Sequence, residues 1–271
     1  MQLHAKNGSL PMNGARMDYV RFGTGGRALV LLPGLGDGLT TVKGTALAMA
    51  WLYRCLSKDF TVYMFSRPQP LPPNCTTRDM ARDISAAMDA LNIQRADVVG
   101  VSMGGMIAQY LALDYPERVN RLVLTVTCSR PNPILESSVR EWISQAESGN
   151  HTALMDSNLR LIYSDTYYRK NKWTVPLLGL LTKPKSYDRF LIQANACLTH
   201  DAHSLLPCLA CPTLVIGGEK DLALGAEASR ELAAAIPGAK LHMYSQWGHG
   251  LYEEAPDFFT TVTDFLLTEA V

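Results

Sequence analysis

Neither sign of charge dominates this sequence. The 25 Lys and Arg residues are matched by 25 Asp and Glu, so the formal net charge at pH 7 is zero. Such a chain has no global positive field with which to hold a phosphate backbone, and no nucleic-acid partner is expected. Charged residues make up only 18% of the chain and apolar residues 47%, the opposite of a disordered composition. Long apolar runs are also missing. The most apolar helical stretch, Ala46 to Tyr53, is far shorter than the roughly 20 residues of a membrane span, so no membrane partner is expected. Met1 to Arg16 lacks the apolar core of a secretory signal.

Cysteine is sparse for a disulfide scaffold. Cys55, Cys75, Cys128, Cys197, Cys208 and Cys211 are spread over 271 residues, which reads as reduced thiols in a cytoplasmic protein. Cys208 and Cys211 have CxxC spacing, but no second CxxC or paired His motif follows, so no metal is expected. No GxGxxG follows a strand-like run and no GxxxxGK[ST] is present, so no cofactor is expected either. Internal repeats and low-complexity runs are absent.

What is present is a rhythm. Short apolar runs at Ala28–Leu32, Thr61–Phe65, Ala96–Val101, Leu122–Val126, Thr213–Ile216 and Lys240–Tyr244 alternate with longer amphipathic stretches. The helices expected between them cover 42–56, 76–91, 104–114, 226–236 and 255–267. In the second, Met80, Ile84, Ala87, Met88 and Leu91 fall at helical spacing, and Thr76 or Thr77 is placed to cap it. Near-continuous apolar strands separated by helices predict an α/β fold whose mostly parallel sheet is covered on both faces. Met17–Phe22 is a candidate antiparallel edge. The rhythm stops between Arg130 and Pro207, where four helices but no strand are expected. This predicts a core of 1–129 and 208–271, with a helical cap inserted at 130–207.

The strongest local signal is Gly100-Val-Ser102-Met-Gly104-Gly105. It follows an expected strand and opens an expected helix, which is the setting of a nucleophile elbow. A serine hydroxyl needs a base to attack a carbonyl. Of His4, His151, His200, His203, His242 and His249, only His249 lies between the last strand and the last helix, in Gly248-His249-Gly250. The imidazole in turn needs a carboxylate. Asp221 sits a few residues beyond the end of the Thr213–Ile216 run, with Glu219 a competitor in the same loop. The expected catalytic set is therefore Ser102, Asp221 and His249, in the chain order of this architecture. An oxyanion also needs donors. The N–H of Met103, directly after the nucleophile, is one. The N–H of Leu35, in Pro33-Gly-Leu-Gly-Asp-Gly38, is the other. Gly34, Trp142 and Trp173 are candidate substrate contacts.

With these motifs in view the chain resembles the α/β-hydrolase fold superfamily. The resemblance rests on Leu32-Pro-Gly-Leu-Gly36, Gly100–Gly105, Pro212-Thr-Leu-Val-Ile-Gly217 with Asp221, and Gly248-His249 followed by Glu254, Pro256 and Phe259. The stretch from Gly100 to Arg130 is similar to capped esterases and enol-lactone hydrolases. Two features depart from the family pattern. Pro33-Gly34 stands where relatives carry His-Gly. The four-proline stretch Ser66–Pro73 replaces Asp-x-Arg-Gly-x-Gly, and would alter substrate choice if it bordered the pocket.

The resemblance implies a serine hydrolase of small to medium carboxylic esters or lactones, a carboxylesterase-like enzyme. Serine at the elbow argues against the dehalogenases and epoxide hydrolases of the fold, which use aspartate there. A ligand-sensing receptor that retains the triad is one alternative. A C–C bond hydrolase, aminopeptidase or thioesterase on the same frame is another. The sequence leaves monomer and homodimer equally open.

Overall fold

A computed structural model of the chain describes residues 4–12 and 14–268. Among these, eight strands form one sheet: β1 (Lys6–Met12), β2 (Ala15–Phe22), β3 (Arg27–Leu32), β4 (Phe60–Phe65), β5 (Ala96–Val101), β6 (Val119–Thr125), β7 (Thr213–Gly218) and β8 (Lys240–Tyr244). Their spatial order is β1-β2-β4-β3-β5-β6-β7-β8. The β1–β2 and β2–β4 pairs are antiparallel, and the other neighbours are parallel.

The helices follow from the apolar patterns. α1 (Ala46–Leu52), α2 (Thr77–Ala90), α3 (Met103–Asp114), α4 (Pro133–Glu147), α5 (His151–Ile162), α6 (Asp165–Asn171), α7 (Val175–Leu181), α8 (Asp188–Leu198), α9 (Ala226–Ala235), α10 (Leu251–Glu254) and α11 (Phe258–Leu267) surround the sheet. Strand residues point alternately to its two faces. Val30, Val98 and Leu122 therefore pack in the layer that holds Met80 and Ile84 of α2 and Ile107 of α3. Leu29, Val99 and Val123 pack in the opposite layer with Ala50 of α1 and Val262 of α11. Each side chain of this kind contributes about 1.5–3 kcal/mol on full burial. Helix α2 begins at a capping box, with Thr76 Oγ1 accepting from Asp79 N at 3.1 Å and Thr76 N donating to Asp79 Oδ2 at 3.0 Å.

The strand order places the site. The chain leaves β3 for β4 on one side and returns to β5 on the other. The crevice of such a sheet opens where the strand order reverses, outside the carboxyl ends of the strands. Those ends of β3 and β5 carry the 33–38 loop and Ser102.

Three expectations need correction. The 42–56 helix is the seven-residue α1, preceded by a turn in which Gly44 adopts φ +80°. The four helices expected between Arg130 and Pro207 are five, because Pro176 has no N–H to continue the ladder and α6 and α7 are separate. Pro256 separates α10 from α11 in the same way and leaves Ala255 extended. β1 had no alternating pattern to announce it. It is held by pairing residues 6–12 with the expected edge strand β2.

Candidate active site

Ser102 lies between β5 and α3 with φ 53° and ψ −122°. A non-glycine residue in the left-handed region costs about 1–3 kcal/mol, which the neighbouring backbone must offset. Glycines make this possible by removing side chains. A Cβ on Gly100 would stand 2.5 Å from Gly104 O, and one on Gly104 would overlap the carbonyl of Leu32. Strand β5, helix α3 and the end of β3 thus meet backbone to backbone at the nucleophile. Ser102 N donates to Thr125 O at 2.9 Å, which anchors the turn to β6.

Asp221 and His249 come together from the loops after β7 and β8. His249 Nδ1 lies 2.8 Å from Asp221 Oδ2, and both side chains are buried. The other carboxylate oxygen, Oδ1, accepts from the N–H groups of Ala223 and Leu224, each at 2.9 Å. Three contacts therefore fix the carboxylate. The loops are locked to one another as well, with Lys220 N donating to Trp247 O at 3.1 Å. A Cβ at Gly248 would stand 2.7 Å from Lys220 O, so the glycine before the histidine allows close packing of the two loops. Glu219, the competing carboxylate, pairs with Arg230 instead.

Ser102, His249, Gly34 and Leu35 line one cavity of about 640 Å³. Its walls are mainly apolar, with Met49, Leu52 and Val101 from the sheet domain and Trp142, Met155 and Leu159 from the helices between β6 and β7. Ser102 Oγ and His249 make no direct hydrogen bond. Such contacts are often long until a substrate complex forms. Met103 is buried as the first residue of α3, and Leu35 opens a short 3-10 turn over 35–38. A Cβ on Gly34 would lie 3.4 Å from Ser102 Cβ and 3.9 Å from Oγ. The φ of −70° at Gly34 suits any residue, so glycine here clears space beside the hydroxyl.

Trp142 is buried and lines the cavity. Trp173 does not. It is 75% exposed, with its Nε1 donating to Lys170 O at 2.8 Å. The break before Pro176 turns it outward, and its expected contact with substrate finds no support here. The four-proline loop also lies elsewhere. Pro68, Pro70 and Pro72 border a separate cleft of about 520 Å³.

The other histidines are placed away from Ser102's partner role. His200 Nδ1 bonds Thr77 Oγ1 at 3.0 Å in the core, and burial pulls its pKa down to about 4. His203 Nδ1 is 2.9 Å from Ser129 Oγ, and His242 packs against Tyr244. His151 was not singled out by the sequence, yet it lines the cavity. Its Nε2 lies 3.1 Å from Thr182 Oγ1, whose own hydrogen goes to Leu178 O at 2.7 Å. Nε2 is therefore the protonated nitrogen. Burial lowers the pKa of this imidazole. Glu253, also on the cavity wall, accepts from Tyr163 O–H at 2.7 Å, and burial raises its pKa. Nothing in the periodicity of α5 or α10 marks His151 or Glu253, because their role depends on how α5 lies over the sheet.

A charged cluster supports the loop that carries Leu35. Asp37 is buried between Arg67 and Arg189. Arg67 N donates to Asp37 Oδ2 at 3.0 Å, and Arg67 Nη2 donates to Pro33 O at 2.5 Å. Arg189, from α8, donates to both the carboxylate and the carbonyl of Asp37, and to Arg67 O at 3.0 Å.

The family model of the alpha/beta hydrolase fold matches residues 27–256. The chain is 30% identical over 253 residues to a 2-hydroxymuconate semialdehyde hydrolase of Pseudomonas sp. (strain CF600), covering 89% of this chain and 87% of that protein. It is 28% identical over 273 residues to a 2-hydroxy-6-oxononadienedioate/2-hydroxy-6-oxononatrienedioate hydrolase of Pseudomonas sp., covering 96% and 92%. Among solved structures, the enol-lactonase from Burkholderia xenovorans LB400 superposes with a TM-score of 0.80 at 26% identity, covering 96% of this chain and all of that one. The chain belongs to the α/β-hydrolase fold family.

Proposed function

We propose that this α/β hydrolase cleaves uncharged carboxylic esters or lactones through an acyl-enzyme on Ser102. The observation that carries the reading is the buried 2.8 Å pair of Asp221 with His249, which lines the same cavity as Ser102 on its strained turn. Ser102 Oγ attacks the carbonyl carbon and passes its proton to His249 Nε2. Asp221 holds Nδ1–H and stabilises the imidazolium. The negative carbonyl oxygen is received by the N–H groups of Leu35 and Met103, each worth roughly 2.7–4 kcal/mol in such sites. His249 then protonates the leaving alkoxide. Water attacks the acyl group, again with His249 as base, and frees the acid and Ser102.

Residues 130–207 serve as a cap in this scheme, with Trp142 shaping the acyl pocket. The relatives named for dioate and semialdehyde substrates suggest C–C bond hydrolysis as a second reading. Among the described residues that line the cavity, none is Lys or Arg. A carboxylate-bearing substrate would have no cationic partner there, which favours the uncharged ester. The six cysteines are unpaired, which agrees with a cytoplasmic location.

The test is a panel of p-nitrophenyl esters, lactones, thioesters and a 2-hydroxy-6-oxo-dienoate. Rapid multiple turnover of neutral esters or lactones that disappears in Ser102→Ala is expected. Preference for the dienoate would replace the ester reading. Tight binding with negligible turnover of every compound would replace it with a receptor.

A further inference from the structure

The net charge of zero conceals a local excess. Residues 166–187 contain Arg169, Lys170, Lys172, Lys183 and Lys185 and not one Asp or Glu. All five cations are exposed. Among the described residues, only Arg169 has a carboxylate within ion-pairing distance, Asp165 at 3.9 Å. Helix α7 lies in the middle of this basic segment and presents the wrong residues to water. Its buried stripe is Val175 and Gly179, four residues apart, where Gly179 packs against Thr152 of α5. The opposite face of a surface helix is ordinarily polar. Here it carries Leu177 at 59% exposure, Leu180 at 76% and Leu181 at 70%, with Trp173 at 75% just before it.

Large apolar side chains left exposed together on one helix point to an interaction site. Four exposed lysines and one arginine on either side of Trp173 and the leucines in sequence further limit the partner. Apolar side chains enter the acyl boundary of a bilayer while cations meet anionic headgroups. A second copy of this chain would bring five cations against five, which charge complementarity disfavours. We propose that residues 166–187 dock this protein peripherally on an anionic lipid surface, with Trp173, Leu177, Leu180 and Leu181 entering the headgroup layer and Lys170, Lys172, Lys183 and Lys185 contacting its phosphates. Tyr167 and Thr182, within the same segment, line the cavity that holds Ser102. Docking therefore brings the cavity wall to the lipid. The proposal does not depend on the reaction performed at Ser102. The expectation of no membrane partner rests on the lack of a span, and a surface contact needs none.

Co-sedimentation of the full chain tests it, using vesicles of phosphatidylcholine alone and vesicles of equimolar phosphatidylcholine and phosphatidylglycerol. The expected result is binding to the anionic vesicles at low salt, with much weaker binding to neutral vesicles and at high salt. The doubly substituted Lys170→Glu/Lys172→Glu should bind about tenfold or more weakly. Leu177→Ser/Leu180→Ser should also lose binding, with unchanged far-ultraviolet circular dichroism. The wild-type headgroup and salt dependence is decisive even if a variant misfolds. Absence of binding to anionic vesicles, equal binding to both vesicle types, or a gel-filtration dimer that the leucine variant dissociates would overturn the proposal.

Discussion

Asp221 shows how much one carboxylate must do. One oxygen holds His249 Nδ1 and the other accepts two backbone N–H groups. In Asp221→Asn, the amide oxygen would keep the backbone donors and turn the NH₂ toward Nδ1. That selects the wrong imidazole tautomer, and kcat should fall by about 10⁴-fold with little change in fold. Esterase assays with a thermal melt check this, and a loss below tenfold would remove Asp221 from the mechanism. His200 makes a different prediction, about stability. Its folded pKa is about 4, against 6.5 for the free side chain, because burial opposes the charge. As pH falls below 6.5 the unfolded chain takes the proton first. Stability is therefore complete above that pH and is lost progressively down to about pH 4. The loss at pH 5 is about 2 kcal/mol. Urea unfolding of wild type and His200→Leu at pH 7.5 and pH 5 should show a smaller pH penalty in the variant. Equal penalties would reject the assignment.

At the scale of elements, the loop after β3 is the most heavily braced part of the site. Asp37 is flanked by two guanidiniums, one of them from α8 in the helical insertion. Burial pulls the Arg67 pKa down, and the adjacent Asp37 charge opposes that pull. Asp37→Asn would leave two buried cations without their anion, a change that costs about 3–5 kcal/mol. Because the loop supplies the N–H of Leu35, kcat should fall more than KM rises. A variant with normal melting temperature and kcat would show that the cluster is incidental.

The sequence revealed some of these elements clearly. The strands between 28 and 244 announce themselves as apolar runs because a parallel sheet is buried on both faces. Ser102, Asp221 and His249 are legible because each follows the end of such a run. The brace at Asp37 was not legible, since Arg67 and Arg189 meet it from 30 and 152 residues away. Trp173 misled for a related reason: aromatic residues in an inserted helix carry no mark of which side faces the cavity. Pro176 does signal a break in the helix, although not where the break turns Trp173.

The whole molecule combines zero net charge with a cavity whose described lining contains neither Lys nor Arg. A neutral ester should therefore reach Ser102 without electrostatic steering. The value of kcat/KM for a soluble neutral ester should change by less than about twofold between low and physiological salt, where a steered association would fall steeply. Steady-state rates across a salt series check this, and a steep decline would reveal a charged recognition element. No described helix is long and apolar enough to cross a membrane. The local basic and apolar face at 166–187 is accordingly a feature of the surface, and its salt dependence should appear in vesicle binding and not in hydrolysis of a soluble ester.

Ser102 is read as an activated nucleophile in a cavity shared with His249. Fluorophosphonate labelling followed by peptide mass spectrometry tests it most directly. A single adduct is expected, on the peptide containing Ser102, absent in Ser102→Ala and strongly slowed in His249→Ala. An unlabelled wild type, or an adduct that persists in Ser102→Ala, would contradict it.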